Sequence, residues 1–109
     1  MILFRTPDTR LTLAIEICED LWTPLPPSSF LCPAGATIVA CPSASPEILG
    51  KADYRKTLIS SQSGRCLTAY VYSSAGIGES TAEVVYSGHC IIAEAGRIQA
   101  DESCLKRQT

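Results

Sequence analysis

A cysteine followed by two carboxylates and an aromatic residue is the part of this chain best suited to covalent chemistry. Cys18 stands at the end of an alternating apolar segment and precedes Glu19, Asp20 and Trp22. A thiol at the abrupt end of a strand is accessible to a substrate, and the backbone N–H groups of the turn can point towards a developing oxyanion. The same spacing also fits a cysteine that packs in a core. Spacing alone leaves both interpretations open.

Strand-like and helix-like segments surround this turn. Residues 11–18 alternate with the period of a strand, and residues 36–41 form a short apolar run, which is typical of a strand buried on both faces of a parallel sheet. Residues 52–69 have the spacing of an amphipathic helix, although Gly64 weakens it, and residues 70–74 follow as a third strand. The apolar face of the first strand carries Leu11, Leu13, Ile15 and Ile17.

The loops complete the predicted order of elements. After the proline-rich residues 23–27, Ser28 and Ser29 offer N-cap hydroxyls for a short helix. Residues 42–46 form a loop at the carboxyl end of a predicted strand, where open α/β sheets usually bind ligands. Residues 83–86 and 89–93 are predicted to form a hairpin.

This order, βαβαβ followed by a hairpin, predicts an α/β fold with helices on one face of the sheet. Two helices leave the other face and the sheet edges uncovered. The pattern therefore indicates a part of a larger domain or an obligate oligomer.

Composition excludes several classes of partner. The 109 residues suffice for one small core, and the net charge of −2 with scattered basic residues gives no footprint for nucleic acid or an anionic membrane. No apolar run approaches the roughly 20 residues of a membrane span, and no signal peptide is apparent. A cytoplasmic protein is expected. Six cysteines without a CxxC motif and a single histidine, His89, predict small buried thiols and no metal site.

Ordered short motifs give the chain a family resemblance from about residue 12 to residue 96. The motifs are Ile-Cys-Glu-Asp-Leu-Trp at 17–22, Pro-Pro-Ser-Ser at 26–29, Ala-Gly-Ala at 34–36, Ser-Ala-Ser at 43–45, Gly-Lys at 50–51, Tyr-Arg at 54–55, Ser-Gly-Arg-Cys at 63–66, Ala-Tyr-Val-Tyr at 69–72 and Gly-Glu-Ser-Thr at 78–81. With these motifs the chain resembles the nitrilase-type glutaminase domain of glutamine-dependent NAD⁺ synthetases.

The resemblance implies both a fold and a reaction. The fold is an α-β-β-α sandwich of the nitrilase (carbon-nitrogen hydrolase) type, and residues 1–109 are expected to be a single partial domain, its C-terminal part. In such domains a Glu, a Lys and a Cys hydrolyse the side-chain amide of glutamine, and the ammonia passes to a second, ATP-using domain that amidates deamido-NAD⁺ to NAD⁺.

The resemblance also implies roles for four residues. Cys18 matches the nucleophile, which forms a γ-glutamyl thioester. Glu19 matches a position that lines the glutamine pocket. Ser45 and Lys51 match the positions that hold the α-amino and carboxylate groups of the substrate.

Parts of the family pattern are missing. The family's general-base Glu and catalytic Lys lie well upstream of the cysteine, whereas 17 residues precede Cys18 here. They are expected on a missing N-terminal half-domain, and ATP, Mg²⁺ and deamido-NAD⁺ on an absent synthetase domain. The isolated chain is therefore expected to be inactive and to form homo-oligomers. Cys41-Pro42 replaces the family's Asn-Leu, which alters the pocket by removing a backbone donor.

Several alternatives stay open. Glu16 or Glu19 is a local substitute for the missing base, while His89 in the predicted hairpin favours a structural histidine over a catalytic one. The chain also fits another nitrilase-superfamily amidase with a different substrate, or a non-catalytic remnant that acts as an assembly module.

Overall fold

A six-stranded mixed sheet forms the centre of the computed structural model, which describes residues 1–8, 10–76, 78–79 and 85–102. The strands are β1 (Leu3–Arg5), β2 (Thr12–Ile15), β3 (Ile38–Ser43), β4 (Ala69–Ser74), β5 (Cys90–Glu94) and β6 (Arg97–Glu102). The helices are a 3₁₀ helix (Cys18–Trp22), α1 (Ser28–Leu31) and α2 (Lys51–Cys66).

The strands lie in sequence order, and the three central ones are parallel. The chain passes through α1 between β2 and β3 and through α2 between β3 and β4, which confirms the predicted βαβαβ order and the α/β class. β1, β5 and β6 are antiparallel to their neighbours. The carboxyl ends of β2 and β3 consequently lie at the same edge of the sheet, where the Cys18 turn and the loop after β3 begin.

The two faces of the sheet differ in burial, as the sequence predicted. One face packs against α1 and α2 and buries Ala14, Val39 and Tyr70. The other face leaves Val71 and Ile92 exposed.

Two details of burial were predicted wrongly. The buried residues of the first strand segment are Thr12, Ala14 and Glu16, not the leucines and isoleucines, because the helices lie on that side. β3 is buried on one face only, since its other face has no layer above it.

Helix α2 forms close to the predicted bounds, but its buried face was only partly predicted. The expected apolar positions were Tyr54, Leu58, Ile59, Cys66 and Leu67. Ile59 is buried, whereas Tyr54 and Leu67 are exposed. The other buried positions of the helix are Arg55, Gln62 and Ser63.

Gly64 has a packing role inside α2. A Cβ at this position would lie 3.2 Å from the Cα of Gly96 in the β5–β6 turn. The missing side chain therefore lets the helix approach that turn closely.

The predicted hairpin is wrong for the residues that the structure describes. β5 pairs with β4 and with β6, and the tight turn lies at Ala95 and Gly96, both with positive φ. Tyr86 instead forms an isolated bridge with Pro46. Residues 83–84, and Ser80 and Thr81 of the glycine-bearing motif, lie outside the described residues.

The start of α1 also differs from the expectation. Pro27 occupies the N-cap position, and the hydroxyl of Ser28 donates a hydrogen bond to Glu16. The predicted serine caps are therefore wrong, because a buried carboxylate competes for this hydroxyl.

The cysteines are less buried than predicted. Of the described ones, only Cys41 is buried, while Cys18, Cys32 and Cys66 are half-buried and Cys90 is exposed. These five are free thiols, and Cys104 lies outside the described residues. Within the described ranges, no helix is both long and apolar enough to cross a bilayer.

Candidate functional site

Cys18 occupies a strained turn directly beyond β2. Its backbone has a φ of 52°, a left-handed conformation that costs a non-glycine residue about 1–3 kcal/mol and is concentrated at functional sites. The Ile17 N–H donates to Asp20 Oδ2 at 2.8 Å, and the Asp20 N–H donates to the Ile17 carbonyl at 3.0 Å. These two bonds close the turn and leave the Cys18 thiol half-buried at its start.

Glu16 anchors the strand that leads into this turn. Its carboxylate is buried and accepts hydrogen bonds from the Ser28 N–H at 2.9 Å, the Ser28 hydroxyl at 3.0 Å and the Tyr70 hydroxyl at 2.5 Å. Gln62 Nε2 donates in turn to the Ser28 hydroxyl at 2.8 Å. Three donors engage the carboxylate, so its geometry gives no support to the hypothesis that Glu16 acts as the base for Cys18.

Cys41 is a buried cysteine of β3. Burial raises the pKa of its thiol, while the neighbouring Tyr70 and Ser43 side chains and the Cys18 backbone act in the opposite direction, and the sulfur lies 3.6 Å from Ser43 Oγ. The Cys41 thiol is therefore neutral at physiological pH. Pro42 pairs with Ser73 beyond the last paired residue of β2, where the ladder tolerates its missing N–H.

Glu19 and Lys51 line one open cleft of about 280 Å³ together with Trp22 and Thr23. The Lys51 ammonium lies 5.1 Å from the centroid of the Trp22 ring, and the Tyr54 ring centroid lies 5.2 Å from that of Trp22. A cation over an aromatic face is stabilised by about 0.5–1 kcal/mol at an exposed site. The cleft therefore offers one negative and one positive group beside the Cys18 turn.

Ser45 is not among the lining residues of this cleft. It is buried, and its hydroxyl accepts a hydrogen bond from Arg55 Nε at 3.3 Å. Its N–H donates to Ser74 Oγ at 3.0 Å, and its carbonyl accepts from the Ser87 N–H at 2.9 Å. The structure thus brings Glu19 and Lys51 together, while Ser45 lies in a separate buried cluster; the proposed binding roles of all three stay predictions.

His89 lies in the same buried cluster as Ser45. Arg55 Nη1 is 2.7 Å from its Nδ1, and its Nε2 is 2.5 Å from Asp101 Oδ1. Both ring nitrogens have partners, which fits the structural role favoured from the sequence.

Sequence reasoning missed Arg55 and Asp101 as site-supporting residues. Arg55 appeared only as half of the Tyr-Arg motif, although it lies four residues before the buried Ile59 and hence on the same face of α2. Asp101 belongs to a strand whose polar sequence gave no burial signal. The described residues contain no group of three or more His, Cys, Asp or Glu that could hold a metal ion.

Relatives of known name match most of the chain. It is 45% identical over 101 residues to a glutamine-dependent NAD(+) synthetase of Mycobacterium tuberculosis and 46% identical over the same length to that of Mycobacterium leprae. Each alignment covers 92% of this chain, and the chain spans 15% of the length of these curated relatives. No protein-family model matches the chain.

Solved structures agree with these relatives. The glutamine-dependent NAD(+) synthetase of Cytophaga hutchinsonii superposes with a TM-score of 0.76 at 29% identity, over 92% of this chain and 15% of that one. Saccharomyces cerevisiae Nit3, a nitrilase-superfamily member, shares the fold with a TM-score of 0.70 at 21% identity, over 84% of this chain and 33% of Nit3. The chain is therefore related to one segment of the glutamine-dependent NAD(+) synthetases and has the fold of the nitrilase-superfamily carbon-nitrogen hydrolases.

Proposed function

We propose that the chain is the nucleophile-bearing part of a glutaminase that supplies ammonia for the amidation of deamido-NAD⁺ to NAD⁺. The observation that carries the proposal is the half-buried Cys18 thiol in a left-handed turn at the end of β2. The 45% identity to proteins named glutamine-dependent NAD(+) synthetases supports the choice of substrate.

The proposed reaction at Cys18 is an acyl transfer. The thiolate forms a carbon–sulfur bond with the side-chain amide carbon of glutamine, the carbon–nitrogen bond breaks, and the nitrogen takes up a proton and leaves as ammonia. Water then cleaves the γ-glutamyl thioester, which gives glutamate and regenerates the thiol. A general base and a cation for the oxyanion are supplied, in this proposal, by the family's Glu and Lys on the N-terminal half of the domain.

The proposed pocket for the amino-acid head group uses Glu19, Lys51 and Ser45. Glu19 and Lys51 carry opposite charges on one cleft, which is complementary to a zwitterion with an ammonium and a carboxylate. Ser45 adds a hydroxyl on the loop after β3.

The uncovered face of the sheet is the proposed docking surface for the other half of the sandwich. Val71 and Ile92 are exposed on this face, as is Ile15 at the end of β2. These side chains are already more than half buried, so covering them with a second sheet stabilises each by a part of the about 1.5–3 kcal/mol that full burial gives. ATP, Mg²⁺ and deamido-NAD⁺ are proposed for a synthetase domain outside these residues, and homo-oligomers and a cytoplasmic location stay part of the same proposal.

The test uses the complete protein that carries this segment. Replacing Cys18→Ala is expected to abolish NAD⁺ synthesis from glutamine and to leave synthesis from added ammonia intact. Cys90→Ala, which removes an exposed thiol, is the matched control. Glutamine-dependent synthesis that survives Cys18→Ala would contradict the proposal.

The apolar sheet face favours one second candidate, an assembly module without catalysis. In that case glutamine and other amides would release no ammonia in any Cys18-dependent manner. Charged substitutions on the face would still disrupt binding of the partner.

A further inference from the structure

A buried arginine connects the loop after β3 to the residue that directly precedes β5. Arg55 is 0% exposed, and its guanidinium reaches Ser45 Oγ through Nε at 3.3 Å, His89 Nδ1 through Nη1 at 2.7 Å and Glu47 Oε1 through Nη2 at 3.5 Å. It is the one Arg or Lys buried among the residues that the structure describes. Burying a cation is costly and seldom increases stability over an apolar side chain, so a buried guanidinium calls for a second role.

The partners of Arg55 come from two segments that meet at the edge of the sheet. Ser45 and Glu47 belong to the loop after β3, and His89 directly precedes β5. Backbone bonds tie the same segments together, because the Ser87 N–H donates to the Ser45 carbonyl at 2.9 Å and the Glu47 N–H donates to the Val85 carbonyl at 2.7 Å. Arg55 adds side-chain bonds to this junction and thereby fixes the loop.

His89 has one tautomer in this arrangement. A guanidinium only donates hydrogen bonds, so His89 Nδ1 must accept from Arg55, and the ring proton must lie on Nε2. Nε2 then donates to Asp101 Oδ1 at 2.5 Å, and Lys56 Nζ holds Asp101 Oδ2 at 2.6 Å.

The acid at the end of this series is held as a carboxylate. Burial works to raise the pKa of Asp101, but the hydrogen bonds from Lys56 and His89 outweigh it and lower the pKa below its ordinary value. The Arg55 side chain is thus held from behind by an oriented imidazole.

The donor-only chemistry of Arg55 also determines what Ser45 can do. Because Ser45 Oγ accepts from Arg55, its own hydroxyl proton is free to donate, and it meets no acceptor among the described residues. Lys51 lies one turn before Arg55 on α2, so a single helix carries both the cleft lysine and the arginine that bonds Ser45.

We propose that Arg55 is a positioning residue that orients the Ser45 hydroxyl as a hydrogen-bond donor to the carboxylate of an α-amino acid. The inference rests on the proposed function, since it assigns an orientation to a residue of the proposed glutamine pocket. Glu47, His89 and Asp101 hold Arg55 in the required rotamer.

The test is a double-mutant cycle in the complete protein. Arg55→Lys keeps the charge but cannot supply the planar fork, and it is expected to raise the KM for glutamine about tenfold while ammonia-dependent synthesis is unchanged. In a Ser45→Ala background the same substitution is expected to change KM little, because the hydroxyl that it positions is gone. Arg65→Lys, at an exposed arginine of the same helix that donates to Ser61, is the control.

Each outcome supports or overturns the inference. If KM is raised in Ser45→Ala and normal in Arg55→Lys, the positioning role of Arg55 is overturned while the proposed function stands. Additive effects of the two substitutions on KM have the same meaning. Full glutamine-dependent synthesis in Cys18→Ala would instead overturn the proposed function. If Arg55→Lys does not fold, Asp101→Ala at the solvent end of the cluster is expected to raise KM in the same Ser45-dependent way, and an unchanged KM there overturns the inference.

Discussion

Two tyrosines on β4 give a sharp test of the buried anchor beneath the Cys18 turn. Tyr70 and Tyr72 lie two residues apart on the same face, and both are buried. The Tyr70 hydroxyl donates to the Glu16 carboxylate, whereas the Tyr72 hydroxyl has no hydrogen-bond partner among the described residues. Tyr70→Phe and Tyr72→Phe therefore remove the same atom from two similar sites with different hydrogen bonding.

The two substitutions are expected to change the free energy of unfolding by different amounts. A hydrogen bond to a charged group stabilises a protein by about 1.5–3 kcal/mol, so Tyr70→Phe should lower the free energy of unfolding by that amount. Tyr72→Phe removes an unsatisfied buried hydroxyl, so the free energy of unfolding should stay constant or rise. In a Glu16→Gln background the loss from Tyr70→Phe should shrink to about 0.5–1.5 kcal/mol, because the acceptor is then neutral.

Urea unfolding at neutral pH, followed by circular dichroism, measures these differences. With an m-value of about 1–3 kcal/mol per M, a loss of about 2 kcal/mol lowers the midpoint by about 1 M. Equal urea midpoints for Tyr70→Phe and Tyr72→Phe would contradict a stabilising hydrogen bond between Tyr70 and Glu16. An unchanged loss from Tyr70→Phe in the Glu16→Gln background would show that the carboxylate is not its acceptor.

Four further predictions follow from packing and titration. In brief alkylation at pH 8, Cys18 and Cys90 should be labelled before Cys32. Burial, and to a lesser extent Cys66, raises the pKa of the Cys32 thiol to about 12, so its thiolate fraction is about 10³-fold below that of an ordinary thiol. Mass mapping that finds equal labelling of these cysteines would contradict this prediction. The stability linked to the raised pKa of Cys32 is fully present below pH 9 and is lost as the pH rises towards 12. The urea midpoint of the Cys32→Ser variant should therefore fall less steeply over this pH interval than that of the unmodified protein. An equally steep fall in both proteins would contradict the linkage. Gly64→Ala should lower the thermal midpoint despite the better helix propensity of Ala, because its Cβ would lie 3.2 Å from backbone; a raised midpoint would disprove the close packing. Val71→Lys should reduce concentration-dependent association in sedimentation, and association that persists would place the contact elsewhere.

The central strands and the long helix were predictable because each follows one dominant pattern. Residues 36–41 and 70–74 each contain several β-branched or aromatic side chains, and they form β3 and β4 nearly in place. The facing of the first strand was not predictable from hydrophobicity. Thr12, Ala14 and Glu16 face the helices, where Glu16 has buried donors, and the leucines and isoleucines face the side that lacks a layer.

The hairpin was missed because its second strand carries no burial signal. β6 reads Arg-Ile-Gln-Ala-Asp-Glu, and most of it is exposed, so neither alternation nor an apolar run marks it. Ser87 and Gly88 lie between the two segments predicted as a hairpin, and Ser and Gly are typical turn residues. The actual turn uses Ala95 and Gly96, and Ala95 adopts a positive φ that its residue type does not signal.

The candidate site likewise combines residues that short sequence motifs identify with residues that only tertiary contacts bring together. Cys18, Glu19 and Lys51 were identified from local motifs, and the structure places Glu19 and Lys51 on one cleft. Arg55 and Asp101 are separated by 46 positions and meet only through His89. Such a contact depends on tertiary packing, which a single sequence does not encode as a short pattern.

The balance of buried and exposed side chains indicates how these networks depend on assembly. Among the described residues, 11 hydrophobic residues are buried, several of them alanines, while 16 large hydrophobic residues are exposed. Burial of so small a core exceeds the conformational entropy lost on folding by little, so the hydrogen bonds to Glu16 and Arg55 contribute a large part of the stability around them. Covering the apolar sheet face adds burial without touching either cluster. Loss of a single hydrogen bond should therefore unfold the isolated chain more readily than the assembled domain, although the bond itself is the same in both.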